Sequence, residues 1–290
     1  MQKFADYIDK IEINSLWSGH KHIVWKLRPG VNVLSGKNGE GKSTILTRIM
    51  QHVTSLAPTG EIHARERLGV KIDFMPADAQ TIRYDIIRSV DRQLAATHLF
   101  EGAQHKLAAI AEGRIATELD WQLYLLQRRY LDYQVNVGNR MIQLLTSGDP
   151  EARDRATAAA GQKTLFQDMV DELFAETGKK IDRQSNELRF FQYNETLNPY
   201  LLSSGEKQIL VILLTALCED CLPYVILMDE PEVSLHFDWQ KRLIDLVSQL
   251  NPNAQIILTT HSPAVIMDGW EDTVTEVGEI TVKTANQIED

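Results

Sequence analysis

An α/β fold with a mainly parallel core sheet, a small N-terminal antiparallel sheet and an all-helical insertion follows from three features of the 290-residue sequence. A glycine-rich loop, Gly36 to Ser43, sits between an apolar strand pattern and a helical one. Two near-continuous apolar runs, Tyr224 to Met228 and Gln255 to Thr259, read as strands buried on both faces, as parallel sheets require. Residues from about Thr81 to Asn186 show no comparable strand pattern. The expected division is therefore a core formed by 1–80 and 187–290, with 81–186 as the helical insertion.

The elements can be justified in order. Ile11-Glu12-Ile13, His22 to Leu27 and Val31 to Leu34 form a small opening sheet, with a turn at Pro29-Gly30. A helix follows Ser43. Val70 to Phe74 alternates like a strand and is stopped by Pro76. In the insertion, Asp149 and Pro150 form a helix start, since Asp caps free N–H groups and Pro tolerates the first helical position. Phe166, Val170, Leu173 and Phe174 follow at helical spacing, and Gly178 is the expected C-cap. A second helix carries Leu123, Leu126, Tyr130, Tyr133 and Val137 at heptad-like spacing, which predicts core or helix-pair packing. Strands return at Leu188 to Phe191 and Thr273 to Val277.

Composition narrows the classes. Hydrophobic residues are 43% and charged residues 24% of the chain, which excludes a disordered or fibrous protein. A formal net charge of -10 repels nucleic acid and anionic membrane, so such contacts would need a local basic patch. Arg128-Arg129 and Lys179-Lys180 with Arg183 are the compact basic clusters, leaving nucleic acid a possible partner. Cys218 and Cys221 cannot supply a four-ligand zinc site and read as free thiols. The first ten residues hold no apolar signal core, and the apolar stretch Ile209 to Cys218 is about half a membrane span. The expected address is the cytoplasm.

Gly36-Lys37-Asn38-Gly39-Glu40-Gly41-Lys42-Ser43 fits G-x-x-x-x-G-K-[ST] at every fixed position, between a strand and a helix. Glycines turn backbone N–H groups around a β-phosphate, and the helix N-terminus adds positive charge. Lys42 reaches the β/γ-phosphates, and Ser43 offers a hydroxyl to Mg²⁺. Gly36, Asn38, Gly39, Gly41, Lys42, Ser43 and Thr44 are thus the expected ATP ligands. The run Tyr224 to Met228 ends in Asp229-Glu230. Alternation sends these side chains to opposite sides, so Asp229 can orient Mg²⁺ while Glu230 faces the water attacking the γ-phosphate. After the second run, Thr260-His261-Ser262-Pro263 places a histidine able to bond a γ-phosphate or that water. Trp17 and His20 are candidates for stacking on adenine, although strand aromatics are usually packing residues.

Leu202-Ser203-Ser204-Gly205-Glu206-Lys207-Gln208 opens an apolar helix ahead of the acid-bearing strand and resembles the ABC signature sequence. With the phosphate loop, Asp229-Glu230, Ser234-Leu235-His236 as a D-loop and His261 as the switch histidine, the major ABC-ATPase motifs appear in the family's order. The stretches Leu202 to Gln208, Glu230 to His236 and Thr260 to Pro263 look most like the AAA-family, ABC-type ATPases related to RecF/SMC proteins and overcoming-lysogenization-defect nucleases. Such ATPases are common in bacterial anti-phage systems, including Septu-type and retron-associated ones. Two departures from transporter ATPases stand out: Glu206 replaces the usual Gln, and His236 the usual D-loop Asp.

The resemblance implies a P-loop NTPase of ABC type that hydrolyses ATP. It implies a head-to-tail dimer in which ATP on the Lys42 side of one protomer is closed by Ser203 and Gly205 of the other. Glu230, His261 and Lys42 would be catalytic. Gln80, after a strand and before the insertion, matches a Q-loop that ligates Mg²⁺ with Ser43 and Asp229. The short stretch after His261 leaves no room for the family's TOPRIM nuclease domain, so a nuclease or toxin effector would be a separate chain. The insertion allows antiparallel arms of about 75 Å, short of SMC coiled coils. The favoured expectation is an ATPase that senses or regulates for that effector. A transporter ATPase subunit, a nucleotide-stabilised scaffold and a DNA repair-type clamp are the alternatives.

Overall fold

The structure is a computed structural model that describes residues 3–17, 21–56, 61–63, 69–89, 115–147 and 150–282. The chain opens with β1 (Tyr7–Leu16), which pairs antiparallel with β2 (Lys21–Lys26) on one side and with β5 (Val70–Met75) on the other. The register of β1 against β5 slips between Ile8 and Lys10. This bulge puts Ile8 in the core together with Ile11 and Ile13 despite the odd spacing. Strand β13 (Thr281–Val282) completes this sheet beside β2.

The second sheet runs β12 (Val274–Glu276), β3 (Val31–Ser35), β11 (Ala254–Thr259), β10 (Tyr224–Asp229), β6 (Thr81–Arg88), β4 (Glu61–His63). The first five strands are mutually parallel, and β4 is antiparallel at the edge. The central strands β3, β10 and β11 are largely apolar on both sides because both faces are covered. Leu34, Val225, Leu227 and Ile257 pack toward the antiparallel sheet and α1 (Lys42–Leu56). Val33, Ile226, Met228, Ile256 and Leu258 pack on the other face. There they meet α4 (Ser204–Cys218) and α5 (Phe237–Leu250), backed by α2 (Glu118–Thr146) and α3 (Ala152–Leu173). Gln255, wholly buried, joins the two sheets: its side chain accepts from the Ile8 N–H and donates to the Ile8 and Arg28 carbonyls.

Strand β6 corrects the expectation that an all-helical segment starts at Thr81. The sequence TIRYDIIR places charges inside a strand, which hid it from pattern reading. Those charges have tertiary partners: Asp85 takes a two-pronged ion pair from Arg129 at 2.7 and 2.9 Å, and Arg83 lies over the Phe4 ring. Strand β7 (Lys180–Ile181) is a second departure from an all-helical insertion. It pairs with β8 (Phe190–Gln192), which pairs with β9 (Glu195–Leu197). Helices α2 and α3 span about 43 and 33 Å at 1.5 Å per residue, shorter than the arms expected.

Leu123, Leu126, Tyr130, Tyr133 and Val137 are all buried in the helical-side core, as core packing predicts. Helix α3 begins at Ala152 with Glu151 as an N-cap that makes no side-chain capping bond. The expected cap Asp149 lies outside the described residues. Gly178 takes the left-handed conformation after a short 3₁₀ turn that extends α3. The remaining α-helix among the described residues is α6 (Val277–Ile280).

Candidate functional site

Parallel pairing brings the chemistry-bearing segments to one rim. Registers Asp229↔Thr259 and Thr259↔Leu34 align the C-terminal ends of β10, β11 and β3. The Asp229-Glu230 pair, the Thr260-His261 segment and the phosphate loop therefore leave the sheet side by side. This rim is where open α/β sheets bind ligands.

The phosphate loop leads into α1. Gly39 and Gly41 have φ of 85° and 100°, in the left-handed region where a Cβ is disfavoured. A Cβ on Gly41 would also come within 2.6 Å of the Trp17 ring, so the indole rests directly on this loop. Lys42 is 3% exposed, and its ammonium donates to the carbonyls of Gly36 at 2.7 Å and Lys37 at 3.2 Å. Glu40 accepts from the Lys37 N–H, closing the loop from its other side. Trp17, Ser43, Thr44, Thr47, Arg48 and Gln51 border a cleft of about 640 Å³ against the start of α1. Asn38 lies on the exposed part of the loop. His20 lies outside the described residues.

Asp229 and Glu230 are organised by a residue that sequence reading missed. Thr259, fully buried on β11, donates its hydroxyl to Asp229 Oδ1 at 2.5 Å. The same hydroxyl and the Thr259 carbonyl both accept from the Glu230 N–H at 3.1 Å. These bonds hold Glu230 at φ 48°, a conformation that costs a side-chain-bearing residue on the order of 1–3 kcal/mol. The turn aims its carboxylate at His261, whose Nε2 lies 3.1 Å from Glu230 Oε1. Ser89, buried at the end of β6, donates to the Asp229 carbonyl and is a second residue the sequence did not disclose.

Gln80 does not join this group. It precedes β6, whose far end, Arg88, is in register with Asp229. Eight residues at about 3.3 Å each leave Gln80 roughly 26 Å from that rim, far beyond metal-ligand reach. At that rim β6 is followed by Ser89, whose hydroxyl donates to the Asp229 carbonyl.

In the signature segment, Ser203 N-caps α4 and forms a capping box with Glu206. Glu206 also accepts from Lys179 at 2.8 Å and from Thr177. Burial works against the Glu206 carboxylate, but the bonds from Lys179 and Ser203 prevail and hold it below its ordinary range. Glutamate at this position therefore has a structural explanation that glutamine would not satisfy as well. The neighbouring Lys207 pairs at 2.7 Å with Asp120, a capping residue of α2, with both side chains buried. The Cα of Gly205 lies against the Ser234 carbonyl. His236 N-caps α5 without a side-chain capping bond.

The basic clusters are largely neutralised. Arg129 binds Asp85, Lys179 binds Glu206, and Arg183 binds Asp168 and Asp171. Burial pushes the Cys218 thiol up to about 12. No helix among the described residues is long and apolar enough to cross a membrane.

The family described as "AAA domain, putative AbiEii toxin, Type IV TA system" matches residues 59–268. The chain belongs to this AAA-domain family. The match covers Leu202 to Gln208, Asp229-Glu230 and His261, and Gly36 to Ser43 lies ahead of it. Among curated relatives, the AAA-domain chain is 26% identical over 172 residues to the Retron Vc95 probable ATPase of Vibrio cholerae serotype O1 biovar El Tor, covering 54% of this chain and 33% of that one. It is 48% identical over 42 residues to the Septu protein PtuA of Bacillus thuringiensis, covering 14% of this chain and 11% of that one. The matched stretches thus span a third or less of these relatives' lengths. An SMC head bound to the C-terminal winged-helix domain of ScpA superposes with a TM-score of 0.50 at 16% identity, covering 90% of this chain and 91% of that chain. That likeness establishes the P-loop NTPase fold of ABC type for this AAA-domain protein.

Proposed function

We propose that this AAA-domain protein hydrolyses ATP between two head-to-tail copies and uses the cycle to regulate a separate effector. The observation that carries the reading is the shared rim, where the phosphate loop, Asp229, Glu230 and His261 meet and Glu230 Oε1 stands 3.1 Å from His261 Nε2. The residues fit the ligands. The left-handed turns at Gly39 and Gly41 and the Lys42 ammonium suit the phosphates, and Trp17 beside the cleft suits the base. Ser43 and Asp229 would hold Mg²⁺, which would supply neutralising charge to the phosphates when bound.

Glu230 accepts a proton from the water whose oxygen attacks the γ-phosphorus, the bond to the β–γ bridging oxygen breaks, and ADP carries away the electron pair. His261 steadies Glu230 and the water. Ser203 and Gly205, at the N-terminus of α4, close on the γ-phosphate of the partner copy, where free N–H groups and the helix dipole favour an anion. ATP joins the copies and hydrolysis separates them. The names of the retron and Septu relatives support a bacterial anti-phage setting, with a nuclease or toxin as effector. The neutralised basic clusters favour a protein target over nucleic acid.

The test is affinity purification of Glu230→Gln from its native host with ATP and Mg²⁺, followed by mass spectrometry. Recovery of a nuclease, toxin or reverse-transcriptase complex supports the regulator. Recovery of an integral membrane protein favours a transporter, and absence of ATP binding by the purified protein sinks the proposal.

A further inference from the structure

We infer that Glu232 is the positioning residue for His261, so that the alignment of the histidine with Glu230 depends on a second carboxyl group, which holds the backbone on either side of the imidazole. This inference rests on the ATPase reading above. Glu232 lies two residues past Glu230 in the turn that follows β10, and it is 6% exposed. Its Oε1 accepts from the Thr260 hydroxyl at 2.5 Å, the His261 N–H at 3.0 Å and the Ser262 N–H at 3.3 Å. One oxygen thus gathers the donors of three consecutive residues centred on His261. The other oxygen, Oε2, is buried with no hydrogen-bond partner among the described residues. An acceptor placed at such desolvation cost, with half its capacity unused, is explained by what it fixes rather than by what it contributes to stability.

The geometry makes the dependence specific. Glu230 and Glu232 sit on one turn, closed by a bond from the Val233 N–H to the Glu230 carbonyl. Glu230 is locked to Thr259 through its N–H, while Glu232 holds the next residues, Thr260 to Ser262, through their donors. The β10 turn therefore grips the β11 turn on both sides of the imidazole. A second brace comes from Gln240, which accepts from Ser262 Oγ at 2.6 Å and donates to the Leu235 carbonyl at 2.9 Å. The His261 backbone is held by acceptors on the segment that carries its partner, so the 3.1 Å approach of Nε2 to Glu230 is set before any ligand arrives.

Glu232→Ala removes the shared acceptor, and Glu232→Gln keeps Oε1 and alters only the unpartnered oxygen. Glu232→Asp, which shortens the reach by one carbon, serves if the alanine variant does not fold. Steady-state hydrolysis is measured for each variant, alone and combined with His261→Ala. The alanine or aspartate variant is expected to lose about 10-fold or more in kcat with KM for ATP little changed, the glutamine variant to stay near wild type, and the His261→Ala combination to add almost nothing. Multiplying losses, or an unchanged kcat in Glu232→Ala, overturns the inference. Amide hydrogen exchange at His261 and Ser262 is a readout independent of turnover. Exchange should accelerate in Glu232→Ala and not in Glu232→Gln, and unchanged rates overturn the inference. A wild-type protein without turnover refutes the ATPase reading, while the exchange rates still decide whether Glu232 positions the histidine.

Discussion

The Cα of Gly205 lies so close to the carbonyl oxygen of Ser234 that a Cβ there would overlap it. The N-terminus of α4 and the turn after β10 therefore touch within the chain, backbone against backbone. A carbonyl fixed in the turn after β10 cannot swing aside as a side chain could. Gly205→Ala must displace one of the two segments, at a cost of about 1–3 kcal/mol. The expected outcome is a modest fall in melting temperature with loss of the ATP-dependent dimer, read by light scattering in the Glu230→Gln background. A dimer of wild-type strength would show that this contact does not set the closing surface.

Glu230→Gln itself should bind ATP and fail to turn it over. The amide keeps the shape beside His261 but cannot take a proton, and general-base catalysis contributes about 10²–10⁴-fold. Single-turnover hydrolysis should fall by at least about 100-fold while nucleotide affinity is retained or rises.

How much of this was legible in sequence differs by element. The phosphate loop, Asp229-Glu230 and His261 announce themselves because fixed spacing and flanking apolar runs carry their geometry. Strand β6 was hidden because Arg83 and Asp85 interrupt its pattern, and the partners that permit them, Phe4 and Arg129, lie far away in sequence. That misplaced strand also misplaced Gln80, since a turn read as leading into a helical lobe in fact leads to the opposite end of the sheet. Thr259 and Ser89 were invisible for a different reason. A hydroxyl in a strand signals nothing until the register shows which carboxylate or carbonyl stands beside it.

Trp17 should report nucleotide binding. Its ring rests on Gly41 and borders the cleft at the start of α1, so a base entering there would alter its surroundings. Wild-type fluorescence should change on ATP addition, and Trp17→Phe should abolish most of that change although four other tryptophans remain among the five. An unaltered signal in Trp17→Phe would place the base elsewhere.

The signature helix should prove mechanically tied to the insertion. Lys207 and Asp120 pair at 2.7 Å with side chains 11% and 5% exposed, linking α4 to the N-terminus of α2. Removing one partner of a buried pair leaves an uncompensated charge and costs about 3–5 kcal/mol. Lys207→Met should lower the urea midpoint accordingly, whereas Lys207→Met with Asp120→Asn should recover much of the loss. Equal losses in the single and double variants would mean that packing, not the pair, holds the helices together.

A last prediction concerns pH, at the end of the sheet far from the rim. Glu219 is buried beside Asn251, whose amide donates to Oε2 at 2.7 Å, and its carboxyl also faces Asp85. Burial, reinforced by the negative charge of Asp85, pushes its carboxyl well above the ordinary value of 4.5. The folded protein therefore keeps a proton that the unfolded chain releases. Its stabilising effect is complete below the unfolded value of 4.5 and is lost as pH rises toward the folded one. Glu219→Gln cannot ionise and is nearly the same shape. The stability difference between Glu219→Gln and wild type should thus grow in favour of the variant as pH climbs from about 4.5, then level off once Glu219 is ionised in both states. Urea unfolding of both proteins between about pH 4 and 9 measures it, and a difference that shrinks with rising pH would reverse the assignment.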